Sequence, residues 1–174
     1  ASYLSYYNVE LRTEADADLW ELRHKHRGQI PSLVQLLGSA GWHHPWLTTH
    51  GGVSVLGALV VDVFAGTDDG EIGEAAEEFA VRFLASTGRP PSTAAAEAHD
   101  AALLLLAARR RALATAAPNG VLLRPQVARS LLATSLGQGA CGPARITPNG
   151  EIARGFVLLR LEKHGFVLQD PFDE

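Results

Sequence analysis

Phe79 to Ala108 reads FAVRFLASTGRPPSTAAAEAHDAALLLLAA, and this stretch decides the fold because one amphipathic helix stops at a Gly-Arg-Pro-Pro break and a second begins at once. The first helix is predicted over Glu74 to Thr87. Ala76, Phe79, Ala80, Phe83 and Leu84 form its apolar face, while Glu74, Glu77, Glu78 and Arg82 face water. The two Phe are read as core residues on that face. The second helix, Thr93 to about Ala114, is apolar on most faces and is predicted to be the buried central one.

Working outward, a buried strand is expected over Ala17 to Leu22 and a helix over Arg27 to Gly41. In that helix Ile30, Leu33, Val34 and Leu37 fall at helical spacing, Pro31 sits in the first turn and Gly41 provides the stop. Pro45 to Thr49 is read as the next strand, Gly51 to Gly57 as the opening of a short helix, and Leu59 to Phe64 as a third, β-branched strand. The loop Gly66 to Gly73 is read as a cap for the helix that starts at Glu74. Toward the C-terminus the pattern predicts a helix from Pro125 to Leu136, a Pro148-Asn149-Gly150 turn, and a hairpin of Phe156 to Leu161 and Phe166 to Leu168 joined at Lys163-His164-Gly165.

Alternating strands and helices with short connections imply an α/β fold with an open, mainly parallel sheet and helices on both faces. The expected organisation is an extended lead-in over 1–14, one α/β lobe over 15–168, and a disordered tail over 169–174. A chain of 174 residues buries about 70% of its unfolded surface, enough for an independent core.

The helix, Pro-containing break and helix, with Ala98-His99-Asp100-Ala101 opening the second helix, resemble the C-terminal lobe of the type I periplasmic binding proteins of the branched-chain amino acid receptor class. GWHHPWLTTHGG at 41–52 looks like that family's helix end, strand and cleft loop. GPARITPNGEIARGFVLLRLEKHGFVL at 142–168 looks like its closing turn, Gly-containing bend and last hairpin. The resemblance covers about Ala15 to Leu168 and only one of the family's two lobes. It implies a small-molecule ligand at the sheet edge, with a second lobe, a partner chain or a homodimer completing the cleft, and an extracytoplasmic location, although this chain carries no export signal.

Ligands of open α/β sheets sit beyond the carboxyl ends of the strands. That rule and the resemblance nominate Arg23, His24, Thr49, His50, Gly51 and His99 as ligand-binding residues on one rim. Where family members that hold amino acids place an acidic residue and a Tyr, this sequence has His50 and His99. An imidazole does not replace a carboxylate as the partner of an ammonium group, which points toward an anionic or aromatic ligand, or none. His24, His26 and His50 also suggest a three-nitrogen metal site, but His-x-His pairs occur commonly without metal, and the reading adopted has no metal and no cofactor.

Other classes are disfavoured. A net charge of -4 with scattered basic residues gives no nucleic-acid footprint, and Arg109-Arg110-Arg111 reads as a solvated helix end. Cys141, the only cysteine, forms no intrachain disulfide and has no base near it in sequence, so it is read as a small, partly buried side chain. The longest apolar run, Ala101 to Ala108, is too short to span a membrane. Neither a phosphate-binding Gly-rich loop nor a Gly-x-Ser-x-Gly elbow is present, and the Asp residues lie on separate elements, so the chain reads as non-enzymatic. The alternative function is a protein interaction or regulatory receptor module that kept the fold and lost the pocket.

Overall fold

The computed structural model describes residues 9–11, 24, 32–66, 73–115 and 124–169. The described residues fall into two compact units, within 1–70 with 157–174 and within 71–156. The predicted strand at 17–22, the Asp68-Asp69 loop, Trp20, Arg23 and His26 lie outside the described residues.

In the first unit β1 (Val9–Leu11) pairs in parallel with β2 (Ser32–Val34). A four-stranded sheet runs in the order β3 (Leu37–Gly38), β4 (Leu59–Asp62), β8 (Val157–Glu162) and β9 (Gly165–Gln169). The architecture is α/β, but this sheet is mixed. β3 and β4 are parallel, while β8 and β9 return as the predicted C-terminal hairpin and pair antiparallel. Gln169, assigned by sequence to the tail, extends β9 opposite Leu158. Side chains alternate along a strand, so Val60 and Asp62 on β4 share a face with Leu159 and Leu161 on β8, and all four are buried, with Phe166 from β9.

Two local predictions give way here. The helix expected up to Gly41 is replaced by β2, β3 and a 3₁₀ turn at Ala40–Trp42. Helical spacing of four apolar residues did not decide the outcome, because Ser32 to Val34 pair with β1 and Leu37 and Gly38 pair with β4. Gln35 fixes the link between β2 and β3 by donating from Nε2 to the Gly57 carbonyl at 2.8 Å. Gly38 has a steric reason: a Cβ there would fall 2.6 Å from the Trp42 ring.

The strand expected at Pro45 to Thr49 is instead helix α1 (Trp46–Gly51), followed by a 3₁₀ turn at Gly52–Val55. The Trp46 N–H is taken up by His44 Nδ1 at 3.1 Å, and the Thr48 and Thr49 hydroxyls donate back to the Pro45 carbonyl. Such local bonds satisfy backbone groups that a strand would leave to a neighbour.

The second unit begins with α2 (Glu74–Thr87) and α3 (Thr93–Ala114), both as predicted in extent. α2 ends at Gly88, whose φ of 71° supplies the left-handed C-terminal turn, and its N–H reaches the Leu84 carbonyl. Pro90 and Pro91 prevent continuation, and α3 restarts at Ser92, whose side chain accepts the Ala95 N–H.

α3 is not the enclosed central helix expected from its composition. Ala96, Asp100, Leu104, Ala108 and Ala112, four residues apart, are buried, while Leu105 and Leu106 are 54% and 50% exposed. Helix α4 (Arg124–Leu132) ends earlier than predicted, because Ser135 and Leu136 form β5 and join β6 (Ala144–Ile146) and β7 (Ile152–Arg154) in an antiparallel sheet. The predicted Pro148-Asn149-Gly150 turn joins β6 to β7, with Gly150 donating to the Thr147 carbonyl. Arg109 to Arg111 are exposed, and Arg111 also donates to the Ala133 carbonyl, a bond to a later segment that the sequence does not signal.

Candidate functional site

The second unit contains a cavity of about 490 Å³ bounded by α2, α3 and the loop that links β5 to β6. Successive turns of α2 bring Glu78, Phe79, Arg82, Phe83 and Ser86 to its wall, and α3 adds His99 and Leu103. The loop contributes Gln138, Gly139 and Ala140. The Phe79 and Phe83 rings lie 5.7 Å apart, and the His99 imidazole lies 4.7 Å from Phe79 at an interplanar angle of 39°. Arg82 and Glu78, both largely exposed, form an ion pair at the rim.

One wall of this cavity is held by a buried carboxylate. Asp100 has no exposed surface, and its oxygens accept the Ala140 N–H at 2.7 Å and the Cys141 N–H at 2.9 Å. His99 Nδ1 lies 3.3 Å from the same carboxylate. Gly139 is required because a Cβ there would meet Asp100 Oδ2 at 2.6 Å. The carboxylate thus ties α3 to a loop some forty residues later and gives the two amides partners away from water. Cys141 is buried beside it. Burial, and next the Asp100 carboxylate, pushes the thiol up from 9.0 to about 12, so it is held as the unreactive neutral form.

The first unit carries a second polar constellation. Asp62, buried at the end of β4, accepts the Val63 N–H through Oδ1 at 2.6 Å and pairs with His43 Nδ1 through Oδ2 at 2.6 Å. The His43 ring meets Phe166 edge-on at 4.7 Å. The His43 side chain is only 12% exposed. The missed signal was Asp62 itself: a carboxylate amid Leu59-Val60-Val61 and Val63-Phe64 needs a buried partner.

Of the nominated residues, His99 lines the cavity of the second unit. Thr49, His50 and Gly51 lie in the first unit on α1, not at a strand end, and Thr49 and His50 are exposed. His50 Nδ1 contacts the Trp46 carbonyl at 2.9 Å and its ring stands edge-on to Trp46 at 5.6 Å. Trp46 is 45% exposed. His24 is exposed. Among the described residues no group of three His, Cys, Asp or Glu is placed to hold a metal ion, and no helix is long and apolar enough to cross a membrane.

No family model and no curated protein sequence matches the chain. Solved structures do. A leucine-binding protein of Thermotoga maritima superposes with a TM-score of 0.64 at 20% identity over 97% of this chain and 47% of its own. A putative branched-chain amino acid ABC transporter of Rhodospirillum rubrum gives 0.62 at 24%, over 91% and 42%. An ABC-transporter solute-binding protein of R. palustris in complex with benzoate gives 0.61 at 19%, over 97% and 45%. The chain has the fold of the type I periplasmic binding proteins. It spans less than half the length of these structures, a share consistent with one lobe.

Proposed function

We propose that the chain is a solute-binding or sensing domain and that the cavity of the second unit is where a small carboxylate with an apolar body is held. The observation that carries this reading is the pairing of an apolar wall with polar groups in a space of ligand size. Phe79, Phe83 and Leu103 match an aromatic or branched aliphatic body. Arg82 offers a fork of donors to a carboxylate if it exchanges Glu78 for the ligand, and His99 and Gln138 supply further polar contacts. Similar folds are solved with leucine, isoleucine and benzoate, ligands that share a carboxylate on an apolar body. The role is binding, not catalysis. The exposed residues Thr49 and His50, with Gly51, Arg23 and His24, remain proposed contacts for a ligand completed by a second lobe, a partner chain or another copy.

Thermal unfolding with millimolar benzoate, phenylacetate, leucine or isoleucine tests the assignment, since a ligand that binds only the native state raises the melting temperature. At least one of the four should raise it by several degrees, and Arg82→Ala or His99→Ala should abolish the shift. No shift from any of them, or a shift unchanged in both variants, would remove the cavity from consideration. A receptor or interaction module is the second reading, favoured by the exposed apolar face of α3.

A further inference from the structure

Away from the cavity, α3 carries an apolar band that its own unit leaves open. Ala94, Ala98, Ala102 and Leu106 form one row at four-residue spacing, and Ala101 and Leu105 form the row beside it. All six are exposed, whereas the buried row runs through Ala96, Asp100, Leu104, Ala108 and Ala112. Leu105 and Leu106 are each at least half exposed, which water penalises at neighbouring positions of one helix.

The band is graded. Its N-terminal half is built of alanines and its C-terminal half of leucines. Charge follows the same polarity, with Glu97 exposed near the start and Arg109 and Arg110 exposed near the end. We infer that this face is the docking surface for a second copy of the chain, the two α3 helices packing antiparallel about a two-fold axis near Leu103. In that arrangement Leu105 of one copy falls opposite Ala101 of the other, so large side chains meet small ones on both sides of the axis. The acidic start of each helix then lies over the basic end of its partner. A parallel pairing would set leucine against leucine and arginine against arginine. One helix pair buries less than the roughly 1,600 Å² of a standard interface, so the dimer is weak, with a dissociation constant on the order of 10 µM.

Sedimentation velocity of the whole chain from about 1 to about 200 µM reads the equilibrium directly. The wild type should pass from monomer to dimer over that range. Leu106→Glu should hold the chain monomeric throughout, and Glu97→Lys should weaken the dimer several-fold, with melting temperature and circular dichroism matching the wild type in both. A chain that stays monomeric to the highest concentration overturns the proposal, and the band then serves another occupant, such as the remainder of a longer fold. A dimer that survives both substitutions overturns it equally, because association then uses another surface.

Discussion

Among the described residues each compact unit has one buried carboxylate, Asp62 in the first and Asp100 in the second, and the two are partnered differently. Among the partners of Asp62 are the N–H of the next residue and an imidazole nineteen residues away that is itself partly open to water. Asp100 is served by two consecutive backbone amides some forty residues away, in a loop that also walls the cavity. A side-chain partner can swing aside or be replaced by water at modest cost. Backbone partners cannot be withdrawn without moving the loop. Asp100 therefore works as a structural tie across the chain, whereas Asp62 holds a side-chain partner that is partly open to water.

The sharpest way to break that comparison is Asp100→Ala. It leaves two amides without partners in a buried site, and each unmade bond costs about 1–3 kcal/mol, so urea unfolding should show a loss of about 2–4 kcal/mol. Gly139→Ala attacks the same tie from the other side by forcing a Cβ against the carboxylate. The two losses should fall well short of adding in a double-mutant cycle, since either change alone already disengages the loop. Additive losses would mean that Asp100 and the loop are independent.

His43→Ala comes next. It removes one partner of Asp62 and the edge-on contact with Phe166 but leaves the Val63 N–H in place, and water can enter where the ring was partly open. About 1–2 kcal/mol should be lost, less than for Asp100→Ala. A loss exceeding that of Asp100→Ala would reverse the ranking of the two carboxylates.

The second unit was the more legible in sequence, and the same contrast explains why. Its two long helices are separated by their own stop and start, Gly88 with the prolines and Ser92, so local chemistry and the final structure agree over 74–114. The turn at Pro148 to Gly150 and the β8–β9 hairpin were equally local. The misread strands of the first unit, β2 and β3, are three and two residues long and their partners lie far along the chain, and there spacing misled. Ser32 to Val34 belong to a strand because Val9 to Leu11 lie beside them, and Leu37 and Gly38 because Leu59 and Val60 do. α1 was missed for a different reason. The Trp and the two Thr of Trp46-Leu47-Thr48-Thr49 favour strands, and the capping by His44 and the hydroxyl bonds back to Pro45 reversed that preference. As for the candidate site, His99 was nominated from the resemblance, while Phe79 and Phe83 were assigned only to packing and Arg82 only to water. Periodicity distinguishes a helix face that meets protein from one that meets solvent, but not one that meets a cavity.

Cys141 offers a smaller effect that reports on the Asp100 tie without cutting it. In the folded chain the thiol is raised to about 12, and unfolding returns it to its ordinary value near 9. Between these values the folded state retains a proton that the unfolded state releases, so stability is full below pH 9 and declines as pH rises from 9 toward 12. Cys141→Ala should flatten that part of the pH profile, measured by urea midpoints in the two proteins. At pH 8 a disulfide reagent should modify the native thiol only as fast as the loop opens. Asp100→Ala should accelerate that modification strongly, and His43→Ala, acting on the other carboxylate, should change it little. Equal acceleration by both variants would show that the thiol responds to general loosening and not to release of the loop.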